Sequence, residues 1–134
     1  MRSIREAIGL LVSPGHSAGV FGIRGSALAF LTASALKHGG GPFVVIHSDS
    51  ESAASFDADL RFFTGAEGQE SDPLHDRFVL YPDSERSPYT FTGYETELWA
   101  ARLNVLLRLA EGRIPSVLTL ALEGLTRKVL PREV

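Results

Sequence analysis

Three short apolar runs constrain this chain more than anything else in it. Phe43-Val44-Val45-Ile46, Phe78-Val79-Leu80-Tyr81 and Val117-Leu118-Thr119-Leu120 carry apolar or β-branched side chains at successive positions. Such runs lack the in-out alternation of a half-wet strand and suit a sheet covered on both faces. Ala18-Gly19-Val20-Phe21-Gly22-Ile23 is a fourth run of this kind and precedes the other three.

Helical periods fill the spaces between the runs. Ser3 and Glu6 have capping-box spacing ahead of Ile4, Ala7, Ile8 and Leu11, and Pro14-Gly15 ends that segment. Arg24-Gly25-Ser26 reads as a turn into a helix over 27–37, with Leu28, Leu31, Ala35 and Leu36 inward. Ser48 and Glu51 repeat the capping-box spacing before a buried stripe of Ala53, Phe56, Leu60 and Phe63, which Gly65 closes. Thr92 and Glu95 repeat it once more before the longest helix, 93–111. There the spacing predicts Trp99, Leu103, Leu106, Leu107 and Ala110 inward, with Glu97, Asn104, Arg108 and Glu111 outward. Gly112 stops it, and a last helix is predicted over 121–130.

Strands alternating with helices, with no hairpin signal, predict a parallel sheet with right-handed crossovers. The expected fold is therefore a three-layer α/β domain over 1–134. Residues 65–76 (GAEGQESDPLHD) and 83–91 are predicted surface loops.

Composition narrows the chemistry. The chain has no cysteine, which excludes disulfides, thiolate metal sites and cysteine nucleophiles. Thirteen basic residues against 16 acidic ones exclude a strongly basic nucleic-acid footprint. The only basic cluster is Arg127-Lys128 with Arg132, without the interleaved aromatics of single-strand binders. No apolar run approaches the roughly 20 residues that span a bilayer. The amino terminus reads as a helix, not a leader, so the cytoplasm is the expected location. His16, His38, His47 and His75 show no metal-ligand spacing, and no serine lies in a nucleophile elbow.

Ligands of such sheets sit beyond the carboxyl ends of the strands. After the predicted first strand the chain reads Gly22-Ile23-Arg24-Gly25-Ser26-Ala27-Leu28-Ala29. A phosphate-binding loop here would be G-x-x-x-x-G-K-[ST]. Gly22 fits its opening glycine, but Ala27, Leu28 and Ala29 stand where the second glycine, the lysine and the magnesium-holding hydroxyl belong. Loss of one preorganised electrostatic group typically costs about 2.7–4 kcal/mol in a rate, and two are missing. ATP turnover by this chain is not expected. A Rossmann-like cofactor site or small enzyme using Gly22, Gly25, His47 and Asp49 is the alternative, on a glycine spacing that is not G-x-G-x-x-G. A free-standing interaction module is the third reading.

The degenerate phosphate loop, FVVIHSD, YPDSERSPYTFTGYETELWAARLNVLLRL and PSVLTLALEGLTRKVLP together resemble a known family, over residues 5–131. It is the N-terminal region of the bacterial transcription-repair coupling factor, a module homologous to part of the excision-repair protein UvrB. The most specific match is Glu85, Pro88-Tyr89 and Glu97 followed by Arg102-Leu103 and Leu106, against W-E-x-L-P-Y…S-P…E…R-L-x-x-L. Ser84 replaces the usual Trp, Ser87 the usual Leu, and Gly93 stands where a second S-P pair often lies.

The resemblance implies a partial P-loop NTPase, helicase-like domain that has lost ATPase function. It implies no catalytic residue, no metal and no cofactor for this chain. In the parent protein, ATP and magnesium would serve motor domains that move along double-stranded DNA, displace stalled RNA polymerase and recruit UvrA for nucleotide excision repair. Residues 82–91 are too few for the damage-gripping hairpin of UvrB. The chain is expected to be a piece of a larger protein, making contacts to other domains of it. An unpaired sheet edge is expected to favour self-association.

Overall fold

A computed structural model describes residues 3–15, 17, 19–66, 76–83 and 95–126. Among them the sheet has three parallel strands, β1 (Phe43–His47), β2 (Phe78–Leu80) and β3 (Val117–Ala121), in the order β1-β3-β2. The helices are α1 (Ile4–Val12), α2 (Ala27–Lys37), α3 (Ser50–Thr64), α4 (Glu95–Ala110) and α5 (Leu122–Thr126). This is a small α/β arrangement with helices flanking a parallel sheet. No helix of the described residues is long and apolar enough to cross a membrane.

The register fixes two faces. Phe43 pairs with Val117 and Phe78 with Val117, so Phe43, Val45, His47, Val117, Thr119, Phe78 and Leu80 share one face. That face meets Ala29 and Ala33 of α2 and Phe56 and Leu60 of α3 in the main core. Small residues on α2 let it lie close to α3, and Thr32 returns its hydroxyl to the Leu28 carbonyl at 2.9 Å. The crossover β1-α3-β2 steps past β3, and β2-α4-β3 steps back. With the right-handed sense of such crossovers, α4 falls on the opposite face. Val79 and Leu120 of that face are buried, whereas Val44 and Ile46 of β1 are 62% and 52% exposed.

Helix ends follow local chemistry. Ser3 accepts from the Glu6 amide at 3.4 Å, and Glu6 accepts from the Ser3 amide at 3.1 Å, the expected capping box. Gly65 ends α3 in the left-handed region, as expected. The N-cap of α3 differs from expectation. Asp49, not Ser48, holds it, because its carboxylate accepts the Ser52 amide at 2.7 Å while Ser48 turns its hydroxyl onto Asp49 at 2.6 Å. The last helix begins at Leu122, since Ala121 still pairs with His47. Residues 127–130 and the basic cluster lie outside the described residues, as do the Thr92 cap and most of both loops.

Two larger expectations fail. Residues 19–23 form no strand. Gly22 takes a φ of 80°, which breaks an extended run, and two glycines in five residues weaken any strand. The predicted inward face of α4 is also wrong. Trp99, Leu103, Leu107 and Ala110 are exposed, while Arg102, Val105 and Arg108 are buried. Arg102 donates to the Pro82 carbonyl at 2.8 Å and to Asp83 at 2.6 Å. Arg108 donates to the carbonyls of Asp76 at 2.6 Å and Arg113 at 3.0 Å. The two arginines latch α4 to both ends of β2, and that bonding outweighs the apolar stripe.

Candidate functional site

The carboxyl end of β1, the start of α2 and the first half of α3 enclose a cavity of about 610 Å³. This lies within the range of small-molecule sites. One wall is the turn into α2: Ile23, Arg24, Gly25 and Ser26, then Leu28 and Ala29. The other is α3, which presents Glu51, Ser52, Ser55 and Asp59. That polar stripe runs beside the apolar stripe of Ala53, Phe56 and Leu60. The 3.6-residue period sends one stripe to the core and its neighbour to the cavity. His47 and Phe56 close the base, with ring centroids 5.0 Å apart.

Four of the six loop residues singled out from the sequence therefore meet at one cavity: Gly25, Ser26, Leu28 and Ala29. Gly22 and Ala27 do not line it. Ser26 is the N-cap of α2 but makes no side-chain cap bond. Where a phosphate loop would supply a lysine, this helix start offers the Leu28 side chain.

The electrostatics of the site are mixed. His47 Nε2 is shielded from solvent and has no hydrogen-bond partner among the described residues. Burial pushes the His47 pKa below its usual value, against the pull of the Asp49 charge. Asp49 does not line the cavity. Its carboxyl is held down to about 2, first by the Ser48 hydroxyl and then by the Ser52 amide and hydroxyl. A carboxylate engaged this way by a helix cap is poorly placed to bind the ribose of a dinucleotide, as the cofactor alternative requires.

Arg24, Glu51 and Asp59 make no ion pair among the described residues. The cavity is thus bounded by one cation and two carboxylates that pair with none of the described residues. No group of three or more His, Asp or Glu among the described residues is placed to hold a metal ion.

Ser52, Ser55 and Asp59 were not distinguished by sequence reasoning. Their signal was the helical spacing from Ser52 through Ser55 to Asp59, one step round from the buried stripe. Of the residues that carry the family resemblance, Glu85, Pro88 and Tyr89 lie outside the described residues. Glu97 is exposed, Arg102 buried and Leu106 half-buried. Compared with protein-family models, curated proteins and solved structures, the chain matches none.

Proposed function

We propose that this chain is a non-catalytic module of a DNA-repair ATPase, the N-terminal part of a transcription-repair coupling factor acting in the cytoplasm. The observation that supports it best is the start of α2. It stands at the carboxyl end of β1, and Leu28 and Ala29 line a ligand-sized cavity at the positions where a phosphate loop carries its lysine and magnesium-holding hydroxyl. The strand expected ahead of this turn is not formed at 19–23, so the support is the side-chain pattern at the helix start alone. In this reading the motor, with its ATP and magnesium, and the contacts to RNA polymerase, UvrA and double-stranded DNA belong to the parent protein. The chain itself contributes surfaces to neighbouring domains.

Millimolar magnesium-ATP is then expected to leave the melting temperature unchanged, since a ligand of the folded state must raise it. A rise of several degrees overturns the reading. Sequencing past codon 134 gives a second test. An open frame leading to an intact lysine-bearing phosphate loop supports it, and a stop codon there counts against it.

The cavity itself favours a second reading, a small-molecule binding domain. Arg24 on one wall and Glu51 and Asp59 on the other are free to meet a ligand. A melting shift with NAD or NADH, lost in Arg24→Gln, would establish the dinucleotide form of it.

A further inference from the structure

The cavity between the start of α2 and the first half of α3 has a pattern of charge that its ligand must match. Arg24 stands on one wall, and Glu51 and Asp59 stand on the other. None of the three forms an ion pair with a described residue. His47 at the base adds no charge near neutral pH, because burial favours its uncharged imidazole. One cation thus faces two carboxylates.

The spacing on α3 is regular. Glu51, Ser55 and Asp59 follow at intervals of four residues and form one row along the helix. Eight residues of α-helix rise about 12 Å, so the two carboxylates stand two turns apart and suit two separate cationic groups. The Ser55 hydroxyl lies between them. Ser52 in the same wall is already engaged, since its hydroxyl donates to Asp49 at 3.0 Å.

The opposite wall suits a carboxylate. A guanidinium has the planar fork that meets a carboxylate through two parallel hydrogen bonds. A phosphate is a poorer match for Arg24. Leu28 occupies the lysine position of a phosphate loop, and a dianion would face two carboxylates with a single cation to hold it.

We propose that this cavity binds a small molecule with one carboxylate and two separate cationic groups, the charge pattern of a basic amino acid or of a short peptide containing one. The carboxylate meets Arg24, one cation meets Glu51 and the other meets Asp59. The apolar stem between the charges lies against Ile23 and Leu28. A cavity of about 610 Å³ has room for the free amino acid or a dipeptide. Small-molecule binding at this cavity is the premise, and a basic amino acid takes the place of the dinucleotide.

Titration of the isotope-labelled full chain, followed by NMR, tests the ligand class. L-Lysine and the dipeptide lysyl-glycine are the probes, and the tighter of the two identifies the source. Either is expected to shift the amide resonances of Gly25, Ser26 and Ser55. Norleucine lacks the second cation and cadaverine lacks the carboxylate. Each should bind at least about tenfold more weakly, the cost of one charge-assisted hydrogen bond. Arg24→Gln should weaken lysine binding about tenfold without weakening cadaverine, whereas Asp59→Asn should weaken both. Arg24 is exposed and Asp59 half-buried, so neither change disturbs the core. Lysine compounds that bind no tighter than norleucine or cadaverine overturn the proposal, as does lysine binding that Arg24→Gln leaves unchanged. If NAD shifts the same resonances and the lysine compounds do not, the ligand class is wrong and the small-molecule reading stands. If none of these compounds shifts them, both fall.

Discussion

Arg108 of α4 donates to the main-chain carbonyl of Asp76 at 2.6 Å, from a position that helical spacing assigns to solvent. The Asp76 carboxylate meanwhile takes Nη1 of Arg61 on α3 at 2.9 Å. Asp76, two residues ahead of β2, thus ties a helix on each face of the sheet. Arg108 is only 5% exposed. Replacing it with alanine leaves the Asp76 and Arg113 carbonyls without this donor and should cost about 3 kcal/mol in urea unfolding. A change below about 0.5 kcal/mol would show that the latch is not formed.

The other latch is a dry ion pair. The side chains of Arg102 and Asp83 are 4% and 2% exposed at a separation of 2.6 Å. Removing Arg102 takes the opposite charge from a buried carboxylate, so Arg102→Ala should destabilise by about 3–5 kcal/mol. The double variant Arg102→Met with Asp83→Leu should recover much of that loss. A cycle in which the two changes simply add would contradict the pairing.

His47 makes stability depend on pH near neutrality. Burial holds its pKa below 6.5, so between the folded value and 6.5 the unfolded chain binds more protons. The contribution is complete above pH 6.5 and is lost as pH falls through 6.5 toward the folded value. Wild type should therefore lose more stability than His47→Gln between about pH 7.5 and 5.5. Equal losses in the two proteins would remove His47 as the source.

Asp49 acts in a lower window. Its pKa drops from 3.8 to about 2 on folding, so its contribution is complete above 3.8 and fades as pH falls to about 2. Asp49→Ala should lower the melting temperature by about 3–5 °C at neutral pH, and the gap should close near pH 2. A gap that does not change with pH would mean that the cap is not held by the charged form.

The exposed stripe of Trp99, Leu103 and Leu107 leaves the apolar side of α4 open while Arg102, Val105 and Arg108 are buried. A contiguous apolar stripe on a helix is normally covered. Light scattering should show association of the wild-type chain with rising concentration. The pair Leu103→Glu and Leu107→Lys should abolish it while changing stability by less than about 0.5 kcal/mol. A monodisperse wild type at high concentration would refute the prediction.

Much of the local structure was legible in the sequence because local chemistry decides it. The Ser3 and Glu6 box and the Gly65 stop rest on contacts within a few residues, and the stripe from Ala53 to Leu60 and the runs at 43, 78 and 117 carry their burial in their own residue pattern. What escaped depends on distant partners. The acceptors around β2, the Pro82 carbonyl and Asp83 carboxylate for Arg102 and the Asp76 carbonyl for Arg108, lie 19 to 32 residues away, and no side-chain period displays them. The run at 19–23 has the apolar character of a strand, but Gly22 lets it leave the extended state. The sequence placed the α2 start and His47 at the same end of the sheet. The α3 wall of the cavity became apparent only once the direction of each stripe was known.

The order β1-β3-β2 has a consequence for synthesis. Among the described residues the two outer strands do not pair with each other, and each pairs with β3, the last of the three to be made. A nascent chain that has released β1, α3, β2 and α4 can close neither of these two ladders. Its first 110 or so residues must wait as helices and solitary extended segments until Val117–Ala121 leaves the ribosome, when both seams can form together.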